Sequence, residues 1–228
     1  GGKLSNKQIN LISDGEKIYY NANLAGDEPF WLAENVKGAV VVTSKNRFKA
    51  AMYAIDNLKA NYIILDDGFQ HRKLYRDLDI VLSDSEKGFG NEKLLPAGPL
   101  REGKEAFSRV DKLVVVSKNT DHTRAEKLAK IMGKKLKLPV FICKTEPAYV
   151  YNIKDGEILK PGSSITALSA IGQPEQFYAF LKDYEIKDKI TFDDHHQYQP
   201  ADIKDISGAI VTTEKDAVKL KSFGYDNI

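Results

Sequence analysis

One cysteine, Cys143, stands in 228 residues. An intramolecular disulfide is therefore excluded, and such sparing use of cysteine fits a reducing compartment. Lying behind Phe141-Ile142 in an apolar run, Cys143 reads as a buried filler residue. Long hydrophobic runs are lacking as well. No segment approaches the roughly 18 uninterrupted apolar residues that a membrane-spanning helix needs, and no charged, apolar, small-residue leader opens the chain. It reads as a soluble, cytoplasmic-type polypeptide. A surplus of either charge is also missing: 34 Lys and Arg face 32 Asp and Glu, for a formal net charge of +2. Nucleic-acid binders gather a basic excess into one patch. Here the basic residues are spread along the chain, with small clusters such as Lys134-Lys135-Leu136-Lys137, so nucleic acid is not an expected partner. There is no internal repeat and no low-complexity segment.

What is present is alternation. Short apolar runs rich in β-branched residues recur at 39–43, 62–65, 80–82, 112–116 and 140–143, with helical spacing over 47–58 and 123–132. Continuous apolar strands separated by helices predict a doubly wound, mainly parallel α/β sheet, in which ligands bind at the carboxyl ends of the strands. The style changes after Lys144. Tyr149–Ile153 and Glu157–Leu159 flank Lys154-Asp155-Gly156, a hairpin signal. A smaller α/β unit follows, with strands expected at 164–168, 189–192 and 209–212, a helix over 174–184 and a short helix near Pro200. The expected organisation is a core domain over 1–145, a β-hairpin connector over 146–162 and a smaller domain over 163–228.

Two stretches carry chemistry. Asn61–Leu65 followed by Asp66-Asp67-Gly68-Phe69-Gln70-His71-Arg72 has the form of an apolar strand that delivers carboxylates to a sheet edge. Hard oxygen ligands there suit Mg²⁺, which neutralises charge on a transferring phosphate. Asp-Gly also simply makes turns, so both readings stand at this point. Leu94-Leu-Pro-Ala-Gly-Pro-Leu-Arg101-Glu102 places two prolines and a glycine in four residues. That composition excludes regular helix or strand and predicts a stiff, extended loop presenting Arg101, whose guanidinium suits bidentate contact with phosphate. Gly26-Asp27-Glu28-Pro29 reads as a helix start with Asp27 as N-cap. Asp194-His195-His196 has metal-ligand chemistry, although two adjacent histidines do not readily face one ion. Glu214-Lys215-Asp216 reads as an exposed turn with helix-starting acids and has no assigned role.

Taken together and in this order, the Asp66–Arg72, Arg76–Asp79, Gly88-Phe-Gly-Asn91 and Leu94–Glu102 runs resemble the tetraacyldisaccharide 4′-kinase family. Gly26-Asp27-Glu28-Pro29 and Arg47 upstream, and Ile171–Phe177, Asp194–His196 and Thr212–Leu220 downstream, extend the resemblance over nearly the whole chain. It implies a P-loop-type kinase that transfers the γ-phosphate of ATP to the 4′-hydroxyl of a tetraacylated glucosamine disaccharide, the lipid A precursor. It further implies that Asp27 and His195 act together on the acceptor hydroxyl, a dyad expected to assemble when two domains close. Asp66 and Asp67 would serve Mg²⁺ and, with Arg47, the nucleotide. Gln70, His71, Asn91 and Arg101 would contact the substrate. The implied location is peripheral, at the cytoplasmic face of the bacterial inner membrane.

The 228 residues contain no Gly-x-x-x-x-Gly-Lys-Ser/Thr pattern, which the resemblance would include. The expectation is of a chain lacking the phosphate-binding segment, with a parallel sheet short of one strand, exposed sheet edges and negligible kinase activity alone. Two readings from other classes remain: a glycolipid-binding remnant without catalysis, and a metal-dependent phosphohydrolase using Asp66, Asp67, His71 and the His195 region.

Overall fold

The computed structural model describes residues 3–4, 8–118, 121–194 and 196–228. The chain gathers into two compact units, one formed by 1–64 with 149–228 and the other by 65–148.

In the first unit, β1 (Asn10–Asp14) is followed by α1 (Ala22–Ala25), α2 (Asp27–Asn35), β2 (Val40–Thr43) and α3 (Arg47–Leu58). β1 and β2 pair antiparallel, with an irregularity between Leu11 and Ser13. The sequence reading expected parallel strands and did not anticipate β1. Side-chain pattern reports that a segment is extended, not the direction of the strand beside it. α3 starts where Asn46 accepts the Lys49 N–H at 3.0 Å, and it ends at Lys59 in the left-handed conformation.

The second unit holds β3 (Ile80–Asp84), β4 (Lys112–Ser117), α4 (Thr123–Leu136) and β5 (Val140–Lys144). They form a parallel sheet in the order β3-β4-β5, with Ile80 opposite Lys112 and Leu113 opposite Val140. Central β4 buries Leu113, Val115 and Ser117 on alternate positions. β5 is an edge strand, and Cys143 on it is exposed. The expectation of a buried cysteine is therefore corrected: an apolar run marks a strand, but only neighbours on both faces bury it. The expected strand over 62–65 does not form either. Among the described residues no strand pairs with it, and Tyr62 and Ile64 are 92% and 93% exposed. Extended apolar sequence becomes a strand only with a partner for its N–H and C=O groups.

Returning to the first unit, Tyr151 bridges Ile158 antiparallel, and the Asn152 and Leu159 N–H groups donate to the Glu157 and Val150 carbonyls at 2.9 Å each. The Asp155-Gly156 hairpin therefore forms as expected. Then come β6 (Ser164–Ser169), α5 (Pro174–Phe180), β7 (Glu185–Thr191), β8 (Ala209–Val211) and α6 (Glu214–Leu220). The sheet is parallel, in the order β7-β6-β8. α5 stops four residues short of the expected Tyr184, and β7 starts at Glu185 rather than Lys189. Its charged alternation, Glu-Ile-Lys-Asp-Lys-Ile, reads as polar but suits an edge strand with one wet face.

β6 is buried almost throughout. Leu168 and Ala170 pack with Ile203, Ile210, Leu220 and Ile228 in one cluster. Ile165 and Ala167 pack with Tyr178, Leu181 and Val211 in another. Each fully buried Leu or Ile contributes about 1.5–3 kcal/mol, which fixes β6 as the rigid centre from which the functional loops leave.

Candidate active site

Because β6, β7 and β8 are parallel, the segments after them leave the same edge. After β8, Thr213 caps α6: its hydroxyl oxygen accepts the Asp216 N–H at 3.2 Å and its O–H donates to Asp216 Oδ2 at 3.0 Å. The same Oδ2 accepts the Ala170 N–H at 2.9 Å. Asp216, 0% exposed, thus ties the end of β6 to the start of α6. The Glu214-Lys215-Asp216 run is the first turn of a helix with a buried anchoring acid, not the exposed turn expected.

The loop after β7 is fastened by His196. Its ring stacks on Phe192 with centroids 4.3 Å apart, and Nε2 lies 3.0 Å from Asp202 Oδ2. The Gln199 N–H and then His196 hold the Asp202 carboxyl below the usual carboxylate range. Asp194 pairs with Lys215 at 3.3 Å. His195, the catalytic histidine implied by the resemblance, lies outside the described residues.

α2 begins at Asp27, and its N-cap is Gly26 at φ 97°. The expectation of Asp27 as N-cap is corrected by one position, since only glycine takes that backbone angle without strain. Asp27 Oδ2 lies 3.4 Å from Lys219 Nζ, which also donates to the His196 carbonyl at 3.1 Å. One ammonium therefore joins the Gly-Asp-Glu-Pro start to the Asp-His-His loop. Asp27 belongs to the same compact unit as the β6–β8 sheet. Its approach to that loop is a packing relation inside one unit. Arg47, at the start of α3, turns its Nη1 back to the Ser44 carbonyl at 2.7 Å.

The second unit holds the other candidates. Asp67 takes φ 46°, and the turn that follows it is closed by the His71 N–H donating to the Gly68 carbonyl at 2.9 Å. Arg101 Nη1 donates to both Asp67 oxygens, at 3.1 and 2.9 Å. A second link runs from Glu102 to Arg109 at 2.5 Å, with the Arg109 guanidinium 4.6 Å from the Phe69 ring centre. The two motifs singled out in the sequence are thus doubly joined. Asp66 and Gln70 are exposed and His71 half-buried. Arg76 holds the far side of the loop, donating to the His71 carbonyl at 2.8 Å and pairing with Asp79 at 2.7 Å.

Asn91 is engaged inside its own loop: its amide donates to the Ala97 carbonyl at 2.9 Å and its oxygen accepts the Lys93 N–H at 3.1 Å. The proline-rich loop folds back, with Leu94 bridging Leu100, where an extended loop was expected. A side chain at Gly90 would sit 2.6 Å from Pro99, and one at Gly98 would sit 2.1 Å from the Asn91 oxygen, so the glycines permit the compact turn.

Sequence reasoning gave no role to Lys219, Asp216 or Arg76, although their runs were noted, and it missed Arg109. For the first two a signal existed: Asp216 and Lys219, three apart on a helix, share one face. Arg76 and Asp79 are likewise three apart, whereas Arg109 carries no comparable local mark.

Parallel three-stranded sheets joined by helices, with charged side chains after β7 and β8, make this an α/β protein of the class that binds ligands where the strands end. A family model described as Tetraacyldisaccharide-1-P 4'-kinase matches residues 1–228. The tetraacyldisaccharide 4'-kinase of Desulfotalea psychrophila is 34% identical over 97% of this chain and 68% of its own length. That of Syntrophus aciditrophicus is 35% identical over 96% and 64%. A crystal structure of LpxK from Aquifex aeolicus in complex with ATP superposes with a TM-score of 0.76 at 32% identity, covering 99% of this chain and 69% of that one. The chain belongs to the tetraacyldisaccharide 4'-kinase family, and it spans about two thirds of the length of these curated relatives. Among the described residues no helix is long and apolar enough to cross a membrane.

Proposed function

We propose that this chain carries the acceptor and phosphate-contacting groups of an enzyme that transfers the γ-phosphate of ATP to the 4′-hydroxyl of a tetraacylated glucosamine disaccharide 1-phosphate, in lipid A biosynthesis. Asp27 accepts the proton of the sugar hydroxyl, with His195 as its partner. The observation that carries this reading is the Lys219 ammonium, bonded to the Asp27 carboxylate at 3.4 Å and to the carbonyl of His196 at 3.1 Å. A carboxylate held beside an imidazole-bearing loop suits general-base work near neutral pH.

Asp66 and Asp67 are adjacent, exposed oxygen donors at the turn after 61–65. Their chemistry fits Mg²⁺, which favours one or two carboxylates together with substrate phosphates. When bound, the ion would screen phosphate charge. Arg101 stands at the same turn as a phosphate-binding cation. Gln70 and His71 contribute polar groups to the substrate, and Arg47 serves the nucleotide. Asn91 acts by shaping the loop that presents Arg101. The division into 1–145, 146–162 and 163–228 is part of this proposal; the hairpin closed at Tyr151 and Ile158 supports the connector, while the clustering of 1–64 with 149–228 cuts across the first boundary. An acylated substrate supports peripheral work at the cytoplasmic face of the inner membrane, with no role for nucleic acid.

The test is Asp27→Asn in the full-length enzyme. The expected result is a fall in kcat of about 10²–10⁴-fold, the range for losing a general base, with KM for ATP little changed. An unaltered kcat would overturn the assignment.

A further inference from the structure

Among the described residues, Lys219 meets three acceptors contributed by three elements. Its side chain is 8% exposed. Asp27 Oδ2, from the first turn of α2, is 3.4 Å away. The His196 carbonyl, from the loop after β7, is 3.1 Å away. Asp216 Oδ1, one turn back on α6, is 3.8 Å away. The ring of Tyr198 lies alongside, its centre 5.9 Å from the ammonium. Burial, then the charges of Asp216 and Asp202, push the Tyr198 phenol up, and the face of the neutral ring adds a weak attraction for the ammonium.

The cluster is locked from behind. Asp216 has one oxygen committed to Ala170 and Thr213. Its other oxygen is buried without a hydrogen bond and depends on Lys219 for charge. Were Lys219 to swing outward, a fully buried carboxylate would lose its counter-charge, a costly change. The ammonium is therefore held in place by the fold, and what it holds is held in turn. Asp27 is the one member of the set that begins a helix from a distant part of the sequence and carries a proposed chemical role.

We infer that Lys219 is a positioning residue of the acceptor site: backed by Asp216, it fixes the Asp27 carboxylate relative to the His196 carbonyl. This rests on the reading of Asp27 as the proton acceptor. The ammonium orients the carboxylate through one oxygen and leaves the other available to the sugar hydroxyl, and it sets the spacing between α2 and the histidine-bearing loop.

The experiment is steady-state kinetics of the full-length enzyme with Lys219→Met, Lys219→Arg, Asp27→Asn and the Lys219→Met/Asp27→Asn double variant. Misplacing a reacting group by about 1 Å costs on the order of 10²-fold. The expected result for Lys219→Met is accordingly a fall in kcat of about 10- to 100-fold, with KM for ATP and disaccharide within about twofold of the parent. Lys219→Arg restores most of the rate. In the Asp27→Asn background, Lys219→Met adds little, because the group it positions is already disabled. Losses that multiply in the double variant, or a raised KM for ATP at unchanged kcat, would overturn the inference; the latter would make Lys219 a phosphate-binding group. If Asp27→Asn is inactive and Lys219→Met fully active, the inference fails while the assignment of Asp27 stands. If Asp27→Asn is fully active, that assignment fails first. Should Lys219→Met not fold, Lys219→Met/Asp216→Asn removes both buried charges together. A kcat equal to that of Asp216→Asn alone then counts against the inference, and a further 10-fold loss counts for it.

Discussion

Arg101 and Asp67, far apart in sequence, meet through a single guanidinium nitrogen that donates to both carboxylate oxygens, at 3.1 and 2.9 Å. Both side chains are well exposed, 59% and 69%. An exposed pair of this kind contributes about 0–1 kcal/mol to stability. On the proposed reading its significance is one of placement: the cation stands beside the carboxylate, and both are open to solvent.

Arg101→Ala is accordingly expected to leave the melting temperature nearly unchanged while lowering kcat/KM for ATP-dependent phosphorylation by about 10²-fold, as for loss of a charge-stabilising donor. Arg101→Lys should recover only part, since an ammonium cannot make planar bidentate contact. Thermal melts and steady-state rates on the same preparations check both halves, and equal losses of stability and rate would point to folding instead.

Removing Asp216 should have the opposite signature. Asp216→Ala strips the Ala170 N–H and the Thr213 hydroxyl of their acceptor and leaves Lys219 without its buried counter-charge. Breaking one side of a buried pair costs about 3–5 kcal/mol. Chemical denaturation should report that loss, and a value below about 1 kcal/mol would contradict the anchoring role.

Thr213→Ala tests the same helix start more gently. The variant loses the N-cap that receives the Asp216 N–H and should cost about 1 kcal/mol. Thr213→Ser, which keeps the oxygen, should cost much less in the same unfolding measurement.

Acid should weaken the second unit through Glu92. Lys104 and then Lys135, the latter at 2.8 Å, hold its carboxyl down to about 2 from an ordinary 4.5. A depressed carboxylate stabilises fully above its unfolded value, and that contribution fades as pH falls from about 4.5 towards about 2. Glu92→Gln should flatten the stability profile over that window while leaving its shape above pH 5 unchanged. An identical acid limb in the variant would exclude this pair as a source.

A larger loss awaits Leu168→Ala, at the centre of β6, where the side chain is completely buried. Truncation there should cost about 2–5 kcal/mol, depending on how far the cavity collapses. Urea unfolding would measure it.

The local grammar of the sequence determined the elements that need no partner to be recognised. The helical spacing of 47–58, the Asp155-Gly156 turn and the apolar runs that became β4 and β6 were legible because periodicity and turn chemistry act over a few residues. Motif order also determined the family, since several unusual runs recur in one sequence. Tertiary structure alone decided which runs found neighbours. Residues 62–65 and Cys143 lie in equally apolar stretches, yet among the described residues the first finds no strand partner and the second is exposed, because pairing and burial are properties of what lies alongside. It also decided the placement of Lys219, an ordinary helical lysine by sequence, at the junction of Asp27, Asp216 and the His196 carbonyl. That junction needs α2, α6 and the loop after β7 packed together, and no local pattern encodes an encounter between segments so far apart in the chain.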